Sequence, residues 1–222
     1  VPAIEIDVNE LNQLIGKNLE VEELEHYLNQ IALDVEEKVG DIIKAEYNPN
    51  RPDYCTIEGI ARQIKGYLEI EKGIAKFNLN KGNITLDVEE SVNNVRPFIV
   101  CGVVKGVTFN YEGIQKLMKI QEDLHWLVGR NRIKAAIGVH DLNKITPPFR
   151  YIGAKPEEIS FIPLGENKKM NLKEILKKHP KGIEYANLVN KCDRYPIILD
   201  SNNEVLSFPP IINGILTQVN NY

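Results

Sequence analysis

Cysteine is scarce in this 222-residue chain, and what there is lies scattered: Cys55, Cys101 and Cys192 form no CxxC pair. An odd, dispersed set predicts free thiols in a reducing cytoplasm and argues against a disulfide framework or a zinc site. The four histidines, His26, His125, His140 and His179, show no HExxH spacing, so no bound metal is expected. No apolar run approaches the roughly 20 residues that span a bilayer, and the N-terminal residues carry no signal-peptide pattern. Also missing are GxSxG, the GxxxxGKS/T phosphate loop, and GxGxxG after a strand. None of the three cysteines has a context that marks a nucleophile. An ordinary hydrolase or nucleotide enzyme usually displays one of these patterns.

What is present describes a folded protein. Hydrophobic residues make up 43% and charged residues 26%, within the range of globular domains. The net charge of −4 is unevenly spread. Residues 1–80 carry 8 Lys/Arg against 16 Asp/Glu, whereas residues 81–222 carry 19 against 15. The shift predicts two modules, the second better suited to meeting a phosphate backbone.

Hydrophobic periodicity gives the elements. Ile4, Ile6 and Val8 alternate as a strand, a helix follows through Leu11, Leu14 and Ile15, and Gly16 can end it. A second helix over 21–31 carries Leu24, Tyr27, Leu28 and Ile31 on one stripe. Residues 32–47 read as a strand pair turning near Gly40. The stretch NPNRPDYCTIEGIARQIKGYL, residues 48–68, holds two prolines that forbid helix on its near side, after which Thr56 can cap a helix to about Leu68. Residues 70–85 lack periodicity, so the modules should meet near 78–85.

In the second module, 96–109 alternates as a strand, and a long helix over 111–128 should bury Ile114, Leu117, Leu124 and Leu127 on one face. Residues 133–142 read as a buried strand, 145–154 as a Pro-stiffened edge, and 157–165 as a further short strand. Two short helices should break at Pro180–Gly182, and a hairpin should pair 195–199 with 205–208. The predicted class is α+β: a small N-terminal α+β module, 1–80, followed by a larger mixed α/β module, 85–222.

Polar residues at strand ends are what remains for chemistry. His140 and Asp141 end one apolar run, His179 and Lys181 sit at a helix break, and Asp200, Ser201 and Asn202 follow Pro196–Leu199. An Asp at a strand tip can orient water or bind an amine, and Ser and Asn can hydrogen-bond an ester carbonyl or a hydroxyl. The same LDSNNE sequence also suits a plain turn, in which Asp200 is solvated and truncating it costs little stability.

Taken together, the segments resemble a known family. NPNRPDYCTIEGIAR is similar to the NRPD–x–x–S/T–x–x–G–x–A–R motif in the N-terminal part of phenylalanyl-tRNA synthetase beta subunits. RPFIVCGVVKGVTF, IQEDLHWLVGRNRIKAAIGVHDLNKITPPFRY and YPIILDSNNEVLSFPPIING resemble successive blocks of the archaeal and eukaryotic form. The resemblance implies a heterotetramer of two alpha and two beta subunits that charges tRNA(Phe) with phenylalanine using ATP and magnesium, with no membrane role. It implies a structural first module, in which Arg51 and Asp53 are structural or interfacial. It implies an editing domain in 85–222 that hydrolyses mischarged tyrosyl-tRNA. Carried over, Asp200 matches the family's acidic editing residue and Ser201 stands beside it as the catalytic pair; Asn202, His140, Asp141, His179 and Lys181 become substrate-binding candidates. Family members continue well beyond 222 residues, which implies an N-terminal fragment that does not aminoacylate alone and needs no cofactor of its own. A tRNA-binding or subunit-assembly scaffold without turnover is the alternative.

Overall fold

The computed structural model describes residues 2–220. They divide into two compact units. The first takes residues through Leu79 together with Gln115–Asn131; the second joins Asn80–Ile114 to Arg132 and the residues after it.

In the first unit, strand β1 (Ala3–Asp7) runs straight into helix α1 (Val8–Ile15) because Asp7 caps it, its carboxylate accepting the N–H groups of Asn9 and Glu10 at 2.8 and 3.0 Å. Gly16 ends the helix at φ +80°, a conformation that costs glycine nothing. Helix α2 (Val21–Gln30) opens with a capping box between Glu20 and Glu23. Strands β2 (Leu33–Val39) and β3 (Ile42–Tyr47) form the expected hairpin at Gly40, and β3 pairs with β1, giving an antiparallel sheet of order β1-β3-β2. Ile4, Ile6, Ile43 and Ala45 are buried in one core with Leu11, Ile15, Leu24 and Leu28 from the helices. Each such large side chain contributes about 1.5–3 kcal/mol by leaving water.

The NRPD stretch builds the entry to helix α3 (Ile57–Tyr67). A single 3-10 turn, Pro52–Cys55, precedes it, and the Thr56 hydroxyl accepts the Gly59 N–H at 3.3 Å. Arg51 grips Asp53 with two hydrogen bonds, Nε to Oδ1 at 3.0 Å and Nη2 to Oδ2 at 2.8 Å, and also reaches Gln63 Oε1 at 3.0 Å. Its guanidinium lies 3.8 Å over the Tyr54 ring, and Arg62 approaches Asp53 from α3. The hydrogen bonds from Arg51 hold the Asp53 carboxyl below the usual range. Gly59 packs so tightly that a Cβ there would fall 1.8 Å from the Asp53 carbonyl oxygen. Both motif ends are thus consumed in shaping one turn.

In the second unit, a five-stranded sheet has the order β10-β9-β8-β5-β4. Its strands are β4 (Leu86–Val88), β5 (Phe149–Ala154), β8 (Tyr195–Leu199), β9 (Val205–Phe208) and β10 (Ile212–Asn213); only the β4–β5 pair is parallel. A separate ladder pairs β6 (Ser160–Phe161) with β7 (Met170–Asn171). Helices α5 (Leu172–Lys178) and α6 (Pro180–Tyr185) share a core with the sheet: Leu172, Ile175, Ile197, Phe208 and Ile211 are fully buried. The 195–208 hairpin stands where the sequence puts it, whereas the helix break falls at His179, and the expected breakers Pro180–Gly182 open α6 instead.

Four expectations fail. Residues 96–109 and 133–142 form no strand, and Phe98, Val100 and Val104 lie largely exposed. Alternation specifies which side chains share a face, but a strand also needs a hydrogen-bonded neighbour. Strand β5 is interior, bonded to β8 on one side and β4 on the other, because Pro147 and Pro148 stand before it and leave its own N–H groups free. The long helix, α4 (Tyr111–Trp126), does not belong wholly to the second module. From Gln115 onward it belongs to the first unit, where Ile120 packs on the core and Lys116 pairs with Glu10 and Glu58. Ile114, Leu117, Leu124 and Leu127 are only half-buried, while Gln121 and His125 are buried.

Candidate functional site

The sequence candidates come to rest in three different settings. At the β8–β9 turn, Asp200 is buried, 1% exposed, rather than solvated. Its Oδ1 accepts the N–H groups of Asn202 and Glu204 at 2.8 and 2.9 Å, and its Oδ2 accepts that of Thr146 at 3.0 Å. A carboxylate offers about four lone-pair sites, and three are taken by backbone. The Ser201 N–H donates to the Thr146 carbonyl at 2.9 Å and Asn202 Nδ2 to the Thr146 hydroxyl at 3.1 Å. Asp200 therefore staples the hairpin turn to the segment before β5. Ser201 and Asn202 are exposed beside it.

His179 joins α5 to α6. Its Nδ1 accepts the Lys181 N–H at 3.2 Å, which leaves Nε2–H to donate to the Leu164 carbonyl at 3.2 Å. One ring nitrogen caps α6 and the other holds the turn at Leu164. Lys181 pairs with Glu184 at 3.1 Å.

The third setting is richer. His140 Nδ1 lies 2.8 Å from the Thr217 hydroxyl, and the Asp141 N–H donates to the Thr217 carbonyl at 3.0 Å. The Asp141 carboxylate caps the short 3-10 turn that follows, accepting the Asn143 N–H. Thr217 is completely buried, and its hydroxyl also lies within reach of the carbonyls of Leu206 (3.3 Å) and Gly214 (3.2 Å). The buried Ser207 hydroxyl, on β9, donates to Asn213 Oδ1 at 2.9 Å, and Asn213 Nδ2 faces the Val139 carbonyl at 3.5 Å. Gly138 completes the group: a Cβ on it would lie 2.9 Å from His140 Nε2 and 3.3 Å from Asn213 Oδ1. Burial pushes the His140 imidazole down to about 4, so it is neutral near pH 7. An acceptor nitrogen, an amide and two hydroxyls meet at an otherwise apolar sheet end, a combination able to orient a hydroxyl or a water molecule.

Sequence reasoning singled out His140 and missed Thr217, Ser207, Asn213 and Gly138. One available signal was Ser207, a hydroxyl inside the apolar run VLSFPPII. Thr217 gave none. Nearby, buried Arg132 donates to the carbonyls of Pro210 and Ile211 at 3.0 Å and lies over the Tyr185 ring, which fixes the β9–β10 corner. Among the described residues no three His, Cys, Asp or Glu side chains gather as a metal site, and no helix is long and apolar enough to cross a membrane.

No protein-family model matches the chain. It is 43% identical over 219 residues to the phenylalanine–tRNA ligase beta subunit of Methanosphaera stadtmanae, and 45% identical over 219 residues to that of Archaeoglobus fulgidus. These matches cover 99% of the chain and 39% and 40% of the two relatives, so the chain spans about two fifths of their length. A crystal structure of an N-terminal fragment of the phenylalanyl-tRNA synthetase beta subunit from Pyrococcus horikoshii superposes with a TM-score of 0.88 at 38% identity, over 99% of this chain and 65% of that one. In sequence, along 99% of its length, and in its α+β fold, the chain is similar to phenylalanine–tRNA ligase beta subunits and to the N-terminal fragment of one of them.

Proposed function

We propose that the second unit is the editing part of such a subunit and hydrolyses the ester of tyrosine wrongly attached to tRNA(Phe). The complete enzyme, with its alpha subunit, charges that tRNA with phenylalanine using ATP and magnesium. The likeness to phenylalanine–tRNA ligase beta subunits supports the enzyme assignment, and the polar group of His140, Thr217, Ser207 and Asn213 is the one observation that carries the hydrolytic reading. An aminoacyl ester is an activated acyl group, so a positioned water and a few hydrogen-bond donors suffice to cleave it. Selection must rest on one para-hydroxyl. A site that hydrogen-bonds that group discriminates strongly against a substrate lacking it, because its own polar atoms are then left unpaired. Asp200 enters this reading as support for the β8–β9 turn rather than as the group that moves a proton, since backbone N–H groups already occupy its oxygens. ATP and magnesium chemistry belongs to the rest of the assembly, and no step here passes through a metal.

The scaffold reading, in which the chain holds tRNA or the alpha subunit without turnover, draws on one observation: Asp200, His179 and Lys181 are all engaged in local structure. Incubating the full-length beta subunit, assembled with its alpha subunit, with tyrosyl-tRNA(Phe) and phenylalanyl-tRNA(Phe) separates the two. Faster release of tyrosine than the uncatalysed rate, lost in the double variant Ser207→Ala/Asn213→Ala, supports editing. Release no faster than the uncatalysed rate supports the scaffold.

A further inference from the structure

Resting on the editing reading, we infer that His140 is the residue that selects tyrosine: its Nε2 accepts a hydrogen bond from the phenolic hydroxyl of the misattached amino acid. The argument starts from proton bookkeeping around Thr217. The Thr217 hydroxyl has one proton and three neighbours, the carbonyls of Leu206 and Gly214 and His140 Nδ1. Carbonyls only accept, so the assignment that satisfies most of these contacts turns the Thr217 proton to a carbonyl and lets the Thr217 oxygen accept from the ring. Nδ1 therefore carries the hydrogen, and in a neutral imidazole Nε2 then carries a free lone pair.

That lone pair has no protein partner among the described residues, although the ring is half-buried. Thr217 is itself immobilised, fully buried with its backbone bonded to Asp141 and Gly214, so the ring cannot turn to satisfy Nε2 elsewhere without losing the Nδ1 bond. The missing side chain of Gly138 keeps space beside Nε2 and Asn213 Oδ1, which even one methyl would fill. Asn213 Oδ1 already accepts from Ser207, whereas Nε2 is the acceptor of the group that no donor among the described residues reaches. A phenol O–H supplies the matching donor, and a phenyl C–H does not. Burial lowers the basicity of the ring, which suits it to accepting a hydrogen bond rather than to drawing a proton from water.

The test compares kcat/KM for tyrosyl-tRNA(Phe) and phenylalanyl-tRNA(Phe) hydrolysis in the full-length beta subunit assembled with its alpha subunit. His140→Asn keeps an N–H at the Nδ1 position for Thr217 and removes the Nε2 acceptor. His140→Gln restores an acceptor near the Nε2 position. Gly138→Ala fills the space while leaving the ring in place. The ratio of tyrosyl to phenylalanyl cleavage should fall about tenfold or more in His140→Asn and in Gly138→Ala, and His140→Gln should recover part of it. An equal loss for both esters in His140→Asn would make the residue structural and overturn the assignment, as would a ratio unchanged in a variant that melts like wild type. Should His140→Asn fail to fold, an unchanged ratio in Gly138→Ala overturns it. If the wild-type assembly cleaves neither ester, the editing reading itself falls, and this role with it.

Discussion

Replacing Asp200 by alanine should destabilise the second unit far more than a change at an ordinary turn residue. The carboxylate accepts three backbone N–H groups and is sealed from solvent. A hydrogen bond to a charged group contributes about 1.5–3 kcal/mol, but the losses are not additive, because water can reach the exposed Asn202 and Glu204 once the side chain is gone. The Thr146 N–H, which fixes the approach to β5, is the hardest to satisfy anew. A total loss of about 3–4 kcal/mol follows, and for a protein of this size that lowers the melting temperature by about 10 °C. Asp200→Asn keeps one oxygen for two of the N–H groups but opposes a donor to a donor at the other, so it should lose roughly half as much. Ser201→Ala, beside it and exposed, should shift melting by no more than about 1 °C. Scanning calorimetry of the three variants checks the ranking. If Asp200→Ala melts within about 2 °C of wild type, the staple is not a staple, and a role for Asp200 in ester chemistry returns to the front. If the ranking holds, activity lost in Asp200→Ala is a folding effect unless it persists well below the transition.

Three further outcomes follow from other sites. Gly59→Ala places a Cβ on the Asp53 carbonyl oxygen, and that clash, against backbone rather than a flexible side chain, should cost the first unit about 3 kcal/mol or more in denaturant unfolding; a loss below about 0.5 kcal/mol would refute the packing argument. His140, pushed by burial to about 4 from an ordinary value near 6.5, binds its proton less readily folded than unfolded. Stability is therefore lost as pH falls from about 6.5 toward 4, by on the order of 2 kcal/mol, and the loss should be absent in His140→Asn; equal pH dependence in both proteins would contradict it. Burial, with the Asp123 carboxylate adding to it, pushes the Cys55 thiol up to about 12, while Cys101 is exposed. A thiol reagent at pH 8 should label Cys101 quickly and leave Cys55 untouched until the protein unfolds, which peptide mapping would read directly.

Much of the first unit was legible because its signals are local. Thr56 caps α3, Gly16 ends α1 and Gly40 turns a hairpin for reasons contained within a few residues. Periodicity in α4 predicted a helix correctly but could not say what the helix packs against, since a stripe of Ile and Leu is equally compatible with any apolar partner. The alternation in 96–109 misled for a related reason: it reports faces, and pairing is decided by a second segment.

The site divides along the same line. Asp200 and His140 look alike in sequence, each a polar residue closing an apolar run, yet folding sends them to opposite ends of the range. Asp200 meets three N–H donors within its own hairpin and the segment before β5, so three of its four lone-pair sites are taken. His140 meets a threonine 77 residues away whose single proton is already committed, and that commitment is what leaves one ring nitrogen free. The difference depends on how many donors and acceptors surround each group, a count that no local pattern contains. Residues that close their own turn are best read first as structure. A residue whose hydrogen-bonding capacity is left over after the fold has taken its share is where binding chemistry should be sought, and in the second unit that residue is His140.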